Sequence, residues 1–300
     1  MTNLSFFFEV LIGGLLAGVM YSLVALGFVL IYKASGVFNF AQGAMVFFAA
    51  LTFVSIEKMG VNFWLALLIT LAVMVVLGIA IEKVVLRPLV NQPPITLFMA
   101  TIGLTFVLEG LSQLVWGSQP HGLELGIEDV PMEWLVRSTG IVISQTDVFA
   151  AGIAAALVAG LALFFQYTRI GRALRAVADD HQAALAVGIP LKHIWAIVWA
   201  VAGFVALVAG LMWGARNGVQ YALTFIALKA LPVLILGGFE SIPGAIVGGL
   251  IIGASEKLAE VYIGPMVGGG IESWFAYVIA LLFLLVRPQG LFGEKIIDRV

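Results

Sequence analysis

The chain has 300 residues, of which 62% are hydrophobic and 11% are charged, and its formal net charge is −2. Soluble domains contain about 45–50% apolar and about 25% charged residues, so this composition excludes an ordinary soluble protein and indicates a membrane protein. Cysteine is absent, which excludes disulfides and thiolate metal sites. The sequence also lacks a soluble basic domain of the kind that binds nucleic acid.

Apolar stretches recur along the whole chain at lengths that fit helices crossing a bilayer. About 20 apolar residues cross the roughly 30 Å hydrocarbon core as a helix, and these stretches lack the alternation expected of a membrane barrel. We predict an all-α polytopic membrane protein with about nine transmembrane segments, within a range of roughly eight to ten. The predicted segments are 8–32, 40–57, 62–86, 95–116, 147–167, 193–213, 222–238, 244–262 and 272–287.

Two amide side chains, Asn39 and Gln42, interrupt the first apolar half in the stretch GVFNFAQGAM (36–45). An amide moved into hydrocarbon without a partner costs about 2–7 kcal/mol, and non-helical backbone at membrane depth needs protein or water around it. Gly43 adds a position where helices can approach closely. We predict a broken helix with a buried amide pair beside a solute path. The alternative is that both amides lie at the cytoplasmic membrane interface.

A second interruption, GGFESIPGAI (237–246), lies in the other half of the chain and contains Ser241. Aligned without gaps, the two stretches share two glycines, a phenylalanine and an alanine: Gly36, Phe38, Gly43 and Ala44 match Gly237, Phe239, Gly244 and Ala245. Glycine-interrupted segments at corresponding places in two halves indicate an inverted repeat with a substrate path at its interface. A chance match remains the alternative in a chain with 34 glycines.

Two ionisable residues are embedded in predicted segments, Glu109 and Lys229. Charged groups at membrane depth are expensive and mark functional sites. Three functional interpretations stay open: the two residues pair with each other, they line an aqueous vestibule, or they contact a zwitterionic substrate. The alternatives are a structural ion pair and a lysine that reaches the membrane interface.

Basic residues predict the orientation, because cytoplasmic loops carry an excess of Lys and Arg. With the N-terminus outside and the C-terminus in the cytoplasm, the inner side collects Lys33, Lys83, Arg87, Arg169, Arg172, Arg175, Lys192, Arg287, Lys295 and Arg299. The outer side then collects Lys58, Arg137, Arg216 and Lys257. This asymmetry places the 168–192 loop in the cytoplasm.

The 168–192 loop contains the signals of a short helix. Asp179 or Asp180 can cap its N-terminus, Ala183 and Ala184 favour helix, and Gly188 ends it. A helix of about eight residues is unstable alone in water, so we predict that it docks into a groove on a cytoplasmic partner. A helix lying on the bilayer surface is the alternative.

Three stretches, in this order, resemble LivH-type permeases of the branched-chain amino acid ABC importers. They are LLAGVMYSLVALGFVLIYKASGVFNFAQGAM (15–45), GRALRAVADDHQAALAVG (171–188) and LGGFESIPGAIVGGLIIGASE (236–256). The loop resembles the family pattern G-R-x-x-R-A-x-A-x-[DN]-x-x-A-A-x-x-x-G. Two departures, Ser22 where many relatives carry Ala and Gln42 where many carry His, leave the substrate open.

The resemblance implies a single transmembrane permease domain, 1–300, that forms half of a translocation path in the bacterial inner membrane. It also implies four partners and a coupling role for the loop helix. The partners are a homologous LivM-type permease, two cytoplasmic ATPase subunits that bind ATP and Mg, and a periplasmic substrate-binding protein. No cofactor is expected in this chain, and its sequence has no P-loop for ATP.

Other functions stay open at this point. A permease of the same family for urea or short amides shares these motifs. An ion-coupled secondary carrier would need acidic or histidine relays inside its helices, and Glu109 is the one candidate. We do not expect an enzyme, because the sequence has no H-E-x-x-H motif and no G-x-S-x-G motif.

Overall fold

The computed structural model describes residues 3–89, 92–179 and 181–293, and within these ranges the secondary structure is helical, apart from turns and two isolated bridges. The α-helices are α1 (Asn3–Ser35), α2 (Gln42–Lys58), α3 (Phe63–Ala80), α4 (Pro94–Trp116), α5 (Glu133–Thr139), α6 (Gln145–Tyr167), α7 (Arg169–Asp179), α8 (His181–Ala186), α9 (Leu191–Asn217), α10 (Ile226–Gly237), α11 (Ile242–Tyr262), α12 (Gly264–Val267) and α13 (Glu272–Val286). A π-helical turn (Ile81–Leu86) and a 3₁₀ turn (Arg87–Leu89) continue α3, and a second 3₁₀ turn (Tyr221–Phe225) precedes α10. The predicted all-α polytopic membrane fold is confirmed.

Six helices in the described ranges are long and apolar enough to cross a membrane: Leu4–Ser35, Phe63–Leu89, Ile95–Trp116, Gln145–Tyr167, Leu191–Asn217 and Ile242–Tyr262. The other predicted segments correspond to three shorter helices, α2, α10 and α13. The segment predicted at 222–238 is divided between a 3₁₀ turn and the 12-residue α10, which contains Pro232. Twelve residues rise only about 18 Å as a helix, so α10 alone is shorter than the hydrocarbon core.

The chain forms two compact units, and each is built from separated stretches of sequence. Unit 1 comprises Met1–Ala25, Glu124–Ala159 and Leu228–Val300. Unit 2 comprises Leu26–Leu123 and Gly160–Ala227. Three helices, α1, α6 and α10, contribute residues to both units, so neither unit corresponds to one continuous half of the sequence.

Unit 1 contains a close contact between α1 and α11 that depends on small residues. A Cβ on Gly14 would lie 2.7 Å from the carbonyl oxygen of Gly253, and a Cβ on Gly18 would collide with the carbonyl oxygen of Gly249. Ser22 continues this face and donates to the carbonyl oxygen of Gly18 at 2.9 Å. Small residues four apart let helix backbones approach closely in a membrane.

Unit 2 is organised around α2, which is buried along nearly its whole length. This helix packs against α3, α4 and α9, which explains how a 17-residue helix sits inside the protein. At the end of α3 the π-helical turn carries Glu82, which is fully buried and accepts two hydrogen bonds from Arg87 at 3.0 and 2.7 Å. The buried carboxylate of Glu82 is therefore paired with a guanidinium group.

Candidate functional site

The first helix break lies between α1 and α2, where the sequence predicted it. Gly36 has φ +67°, a left-handed conformation that glycine adopts without strain and that commonly ends helices. Asn39 and Gln42 are both fully buried. The amide nitrogen of Asn39 donates to the side-chain oxygen of Gln42 at 3.3 Å, and its own oxygen accepts from the backbone N–H of Ala41 at 3.1 Å. The two amides thus form a buried pair that shapes the turn into α2.

Neighbouring helices of unit 2 supply the remaining partners of this break. Thr101 on α4 is fully buried, and its hydroxyl accepts from the backbone N–H of Phe40 at 3.3 Å and lies 3.1 Å from the carbonyl oxygen of Phe38. The indole N–H of Trp195 on α9 donates to the carbonyl oxygen of Ala34, in the last turn of α1, at 2.8 Å. Three backbone groups at the break, the carbonyls of Ala34 and Phe38 and the N–H of Phe40, are therefore satisfied by protein, as membrane depth requires.

Gln42 and Gly43 mark the tightest packing at the start of α2. The side-chain nitrogen of Gln42 lies against Gly27 of α1, so a Cβ at Gly27 would collide with it. This nitrogen is buried and makes no hydrogen bond with the described residues. Gly43 packs against the carbonyl oxygen of Thr224 in the 3₁₀ turn, and a Cβ there would collide with that oxygen.

The second break, in unit 1, is built differently. Gly238 has φ +103° and follows α10, and Ser241 caps α11 by accepting from the backbone N–H of Gly244 at 3.0 Å. The backbone N–H of Leu291 donates to the carbonyl oxygen of Leu236 at 2.7 Å. Both breaks thus combine a left-handed glycine with a side chain that bonds to the backbone near the start of the next helix. In unit 2 this side chain is an amide, and in unit 1 it is a hydroxyl. The inverted repeat stays a prediction.

Lys229 belongs to a network of charged side chains within unit 1. Its ammonium nitrogen lies 2.8 Å from a carboxylate oxygen of Glu256 and 3.1 Å from one of Glu272. Lys257 lies 2.8 Å from the other oxygen of Glu272, and the hydroxyl of Tyr21 donates to Glu256 at 3.1 Å. Two ammonium groups and two carboxylates balance each other here, and they connect α1, α10, α11 and α13.

Glu109 on α4 has a different environment in unit 2. It is 7% exposed and accepts a hydrogen bond from the hydroxyl of Tyr221 at 3.2 Å. No described Lys, Arg or His side chain pairs with it. Glu109 and Lys229 therefore take their partners from their own units, Tyr221 for the acid and two other carboxylates for the lysine.

A cavity of about 360 Å³ lies beside the 3₁₀ turn that carries Tyr221. Its lining combines two amide residues with a glycine and three apolar residues: Asn217, Gly218, Gln220, Ala222, Leu223 and Ile226. This volume lies at the lower end of the range of about 300–1,000 Å³ that is typical of small-molecule pockets. The sequence gives no signal for this cavity, because its lining residues, at the end of α9, in the connection and at the start of α10, belong to no motif.

The predicted coupling segment forms two helices instead of one. The basic stretch becomes α7, which ends at Asp179, and α8 is shorter than the expected helix at six residues. Asp180 lies outside the described residues. The end of the segment is as predicted: Gly188 has φ +83°, and its backbone N–H donates to the carbonyl oxygen of Leu185 at 3.0 Å.

The exposed apolar side chains of this segment are those of Leu185 and Val187, next to the predicted Ala184. Ala184 is 2% exposed, whereas Leu185 and Val187 are 55% and 75% exposed. The backbone of Ala183 lies within α8, and the coupling roles of Asp179, Ala183, Ala184 and Gly188 stay predictions. Small residues in the sequence predicted contact through the alanines, but Leu185 and Val187 carry the exposed apolar surface.

Two arginines in α7, which the sequence assigned only to the cytoplasmic excess of positive charge, also bond to the end of α6. Arg175 donates to the carbonyl oxygens of Phe165 and Gln166 at 2.8 and 3.1 Å, and Arg172 donates to that of Tyr167 at 3.2 Å. These carbonyls end α6 and have no partner within their own helix. Cationic side chains at a helix C-terminus satisfy such groups and interact favourably with the helix dipole.

Comparisons with known proteins agree with the sequence motifs. The family profile described as the permease component of the branched-chain amino acid transport system matches residues 10–287. The high-affinity branched-chain amino acid transport permease LivH of Salmonella typhimurium is 28% identical, over 98% of both chains. BraD of Pseudomonas aeruginosa is 28% identical over 100% of both chains. A probable LivH of Methanocaldococcus jannaschii is 28% identical over 95% of this chain and 92% of its own.

Proposed function

Because this chain belongs to the branched-chain amino acid transport permease family, we propose that it is one permease subunit of an ATP-driven importer of branched-chain or other small amino acids. The match over residues 10–287 is the observation that carries this proposal. The chain forms half of a translocation path, and a homologous LivM-type permease forms the other half. Two cytoplasmic ATPases bind ATP and Mg, and a periplasmic binding protein delivers the substrate.

The helix break of unit 2 and its buried Glu109, which has no cationic partner among the described residues, suit a path through the membrane. Asn39 and Gln42 hold non-helical backbone inside the protein, an arrangement found where a helix lines a cavity or meets a substrate. Glu109 adds a buried acidic group in the same unit. Solute then passes when partner-driven motion shifts the permease between states that open to opposite sides.

The α7–α8 segment suits contact with an ATPase. Leu185 and Val187 present apolar side chains at its end, and α7 is fastened to α6 by the arginine bonds described above. A motion of this segment is therefore transmitted to a membrane helix. In this arrangement the segment and the C-terminus face the cytoplasm of a cell whose inner membrane holds the complex.

Copurification tests the proposal. We expect the tagged chain, extracted from its native membrane, to bring with it a second permease and two ATPase polypeptides. The purified complex should hydrolyse ATP faster when a binding protein loaded with a branched-chain amino acid is added. Loading the binding protein with urea or acetamide tests the short-amide alternative. A chain that purifies alone and takes up solute in response to an ion gradient would contradict the proposal.

Replacement of the exposed apolar residues tests the coupling segment. We expect Leu185→Asp with Val187→Asp to reduce ATPase copurification at least tenfold, because charged groups would be buried in an apolar groove. Exposed Tyr167→Asp, at the end of α6, is the matched control. Equal ATPase recovery for both variants would remove α8 from the interface.

A further inference from the structure

Glu109 is an exception among the buried carboxylates of this chain. Three glutamates in the described ranges are buried: Glu82, Glu109 and Glu256. A carboxylate oxygen of Glu82 lies 2.7 Å from a guanidinium nitrogen of Arg87, and one of Glu256 lies 2.8 Å from the ammonium nitrogen of Lys229. Glu109 has only the hydroxyl of Tyr221 within the described part of the chain. The protein thus neutralises two buried carboxylates with its own cations and leaves the third without one.

An ionised carboxylate without a counter-charge is costly inside a membrane protein. Its position is understandable if a cation from outside the chain pairs with it during the working cycle. A single donor, Tyr221, orients the carboxylate and leaves its other lone pairs available, because a carboxylate can accept about four hydrogen bonds.

Aromatic rings around Tyr221 fit an ammonium group. The Tyr221 ring packs edge-on with Phe47, at 6.3 Å between centroids, and with Phe225 at 5.6 Å. Tyr221 and Phe225 are 44% and 52% exposed, so their rings are accessible. Aromatic rings attract cations, and a carboxylate that accepts a hydrogen bond from the hydroxyl of one of these rings matches a primary ammonium group better than it matches an anion.

We propose that Glu109 and Tyr221 form a binding site for the α-ammonium group of the transported amino acid. The inference rests on the importer function proposed above and adds the chemical group that the permease recognises. Glu109 is then a specificity-determining residue of the path.

Uptake by the complete importer in proteoliposomes tests this site. Glu109→Gln keeps the shape and an acceptor for Tyr221 but removes the charge, so we expect labelled leucine uptake to fall at least tenfold, as expected for the loss of one charge-assisted hydrogen bond. Glu109→Asp keeps the charge and should retain more uptake than Glu109→Gln. The subunit stoichiometry of the purified complex, measured for both variants, separates a loss of binding from a loss of assembly. Glu57→Gln, at the end of α2, is the charge-removal control and should transport normally.

Three results would overturn the inference. Wild-type uptake by Glu109→Gln would show that a neutral group suffices at this position. A wild-type requirement for Na⁺ that disappears in Glu109→Gln would assign the carboxylate to a metal cation. Loss of complex assembly in both Glu109→Gln and Glu109→Asp would make the residue structural. Failure of the wild-type complex to import any amino acid would instead refute the proposed function, so the two failures are distinguishable.

Discussion

Unit 1 pairs its buried carboxylate with a cation, whereas unit 2 contains one buried carboxylate that is paired, Glu82 with Arg87, and one that is not, Glu109. In unit 1, Lys229 and Lys257 balance Glu256 and Glu272, and the network connects four helices. In unit 2, Glu109 is buried beside a tyrosine and has no cation among the described residues. Balanced buried charges hold helices together, whereas an unbalanced one is ready for a group that the protein does not contain. Variants of unit 1 should therefore alter stability first, and variants at Glu109 should alter transport first.

The largest expected effect on stability is that of Lys229→Ala. Removing this ammonium leaves Glu256, which is 1% exposed, without its cation, and breaking a buried ion pair costs about 3–5 kcal/mol. Because a third of the Lys229 side chain is exposed, we expect the free energy of unfolding to fall by about 3 kcal/mol, the lower end of that range. Thermal unfolding in detergent measures the change.

A surface pair provides the control for Lys229. A guanidinium nitrogen of Arg137 lies 2.9 Å from a carboxylate oxygen of Glu133, and both side chains are 80% exposed. Arg137→Ala should therefore lower the free energy of unfolding by only about 0–1 kcal/mol. Adding Glu256→Gln to Lys229→Ala should recover part of the loss, because it removes the carboxylate left without a cation. Equal melting temperatures for Lys229→Ala and the wild type would refute the structural role of the network.

A smaller effect is expected at the glycine contact of unit 1. In Gly249→Ala the new methyl group would collide with Ser22 Oγ and the carbonyl oxygen of Gly18, and overpacking of this kind costs about 1–3 kcal/mol. Gly13→Ala is the matched control, because nothing lies within 4 Å of its Cβ position. If both variants melt at the same temperature, close packing of α1 on α11 is not what stabilises unit 1.

Asn39→Ala tests whether the amide pair of unit 2 serves both stability and transport. It removes the bonds to Gln42 and to the backbone N–H of Ala41, and we expect a cost of about 1–3 kcal/mol from buried groups left unsatisfied. Uptake should fall together with stability, because the break would no longer be held in one shape. Gln113→Ala, an exposed amide on α4, is the control. Unchanged uptake and stability in Asn39→Ala would favour the membrane-interface alternative.

The smallest effect is expected at His121, in the loop after α4. Burial and the positive charge of Lys58, whose ammonium nitrogen lies 2.9 Å from Nδ1, lower the pKa of His121 from 6.5. A lowered folded-state pKa means that the unfolded chain binds the proton more readily. The stability contribution is thus present above pH 6.5 and is lost as the pH falls through the folded pKa.

Melting temperatures between about pH 7.5 and 5.5 measure this contribution, because most carboxylates stay ionised in that window. The wild type should lose slightly more stability on acidification than His121→Gln, which has no titrating group at this position. An identical pH dependence in the two proteins would show that the contact with Lys58 contributes nothing.

Sequence patterns predicted the parts of the fold that follow from hydrophobicity and backbone chemistry. Apolar stretches located the membrane helices, and glycines located both breaks, because Gly36 and Gly238 adopt positive φ. The burial of Asn39 and Gln42 followed from the cost of placing amides in hydrocarbon. The helix end at Gly188 followed from glycine's ability to adopt a left-handed conformation.

Partners from distant parts of the chain could not be predicted in the same way. Thr101, Trp195 and Tyr221 complete the break and the acidic site through contacts across 61, 161 and 112 positions of sequence. A single sequence does not specify such pairings, because any of several threonines, tryptophans and tyrosines has the required donor. For the same reason the sequence left the partner of Lys229 open, and the two carboxylates that it contacts, Glu256 and Glu272, were not predicted.

The most direct test of the central claim is amino acid uptake into proteoliposomes, measured with and without the ATPase subunits. With the second permease, the ATPases, internal ATP and a loaded binding protein, we expect labelled leucine to accumulate, and we expect accumulation to stop when the ATPases are omitted. Accumulation by this chain alone, driven by a proton or sodium gradient, would contradict the account.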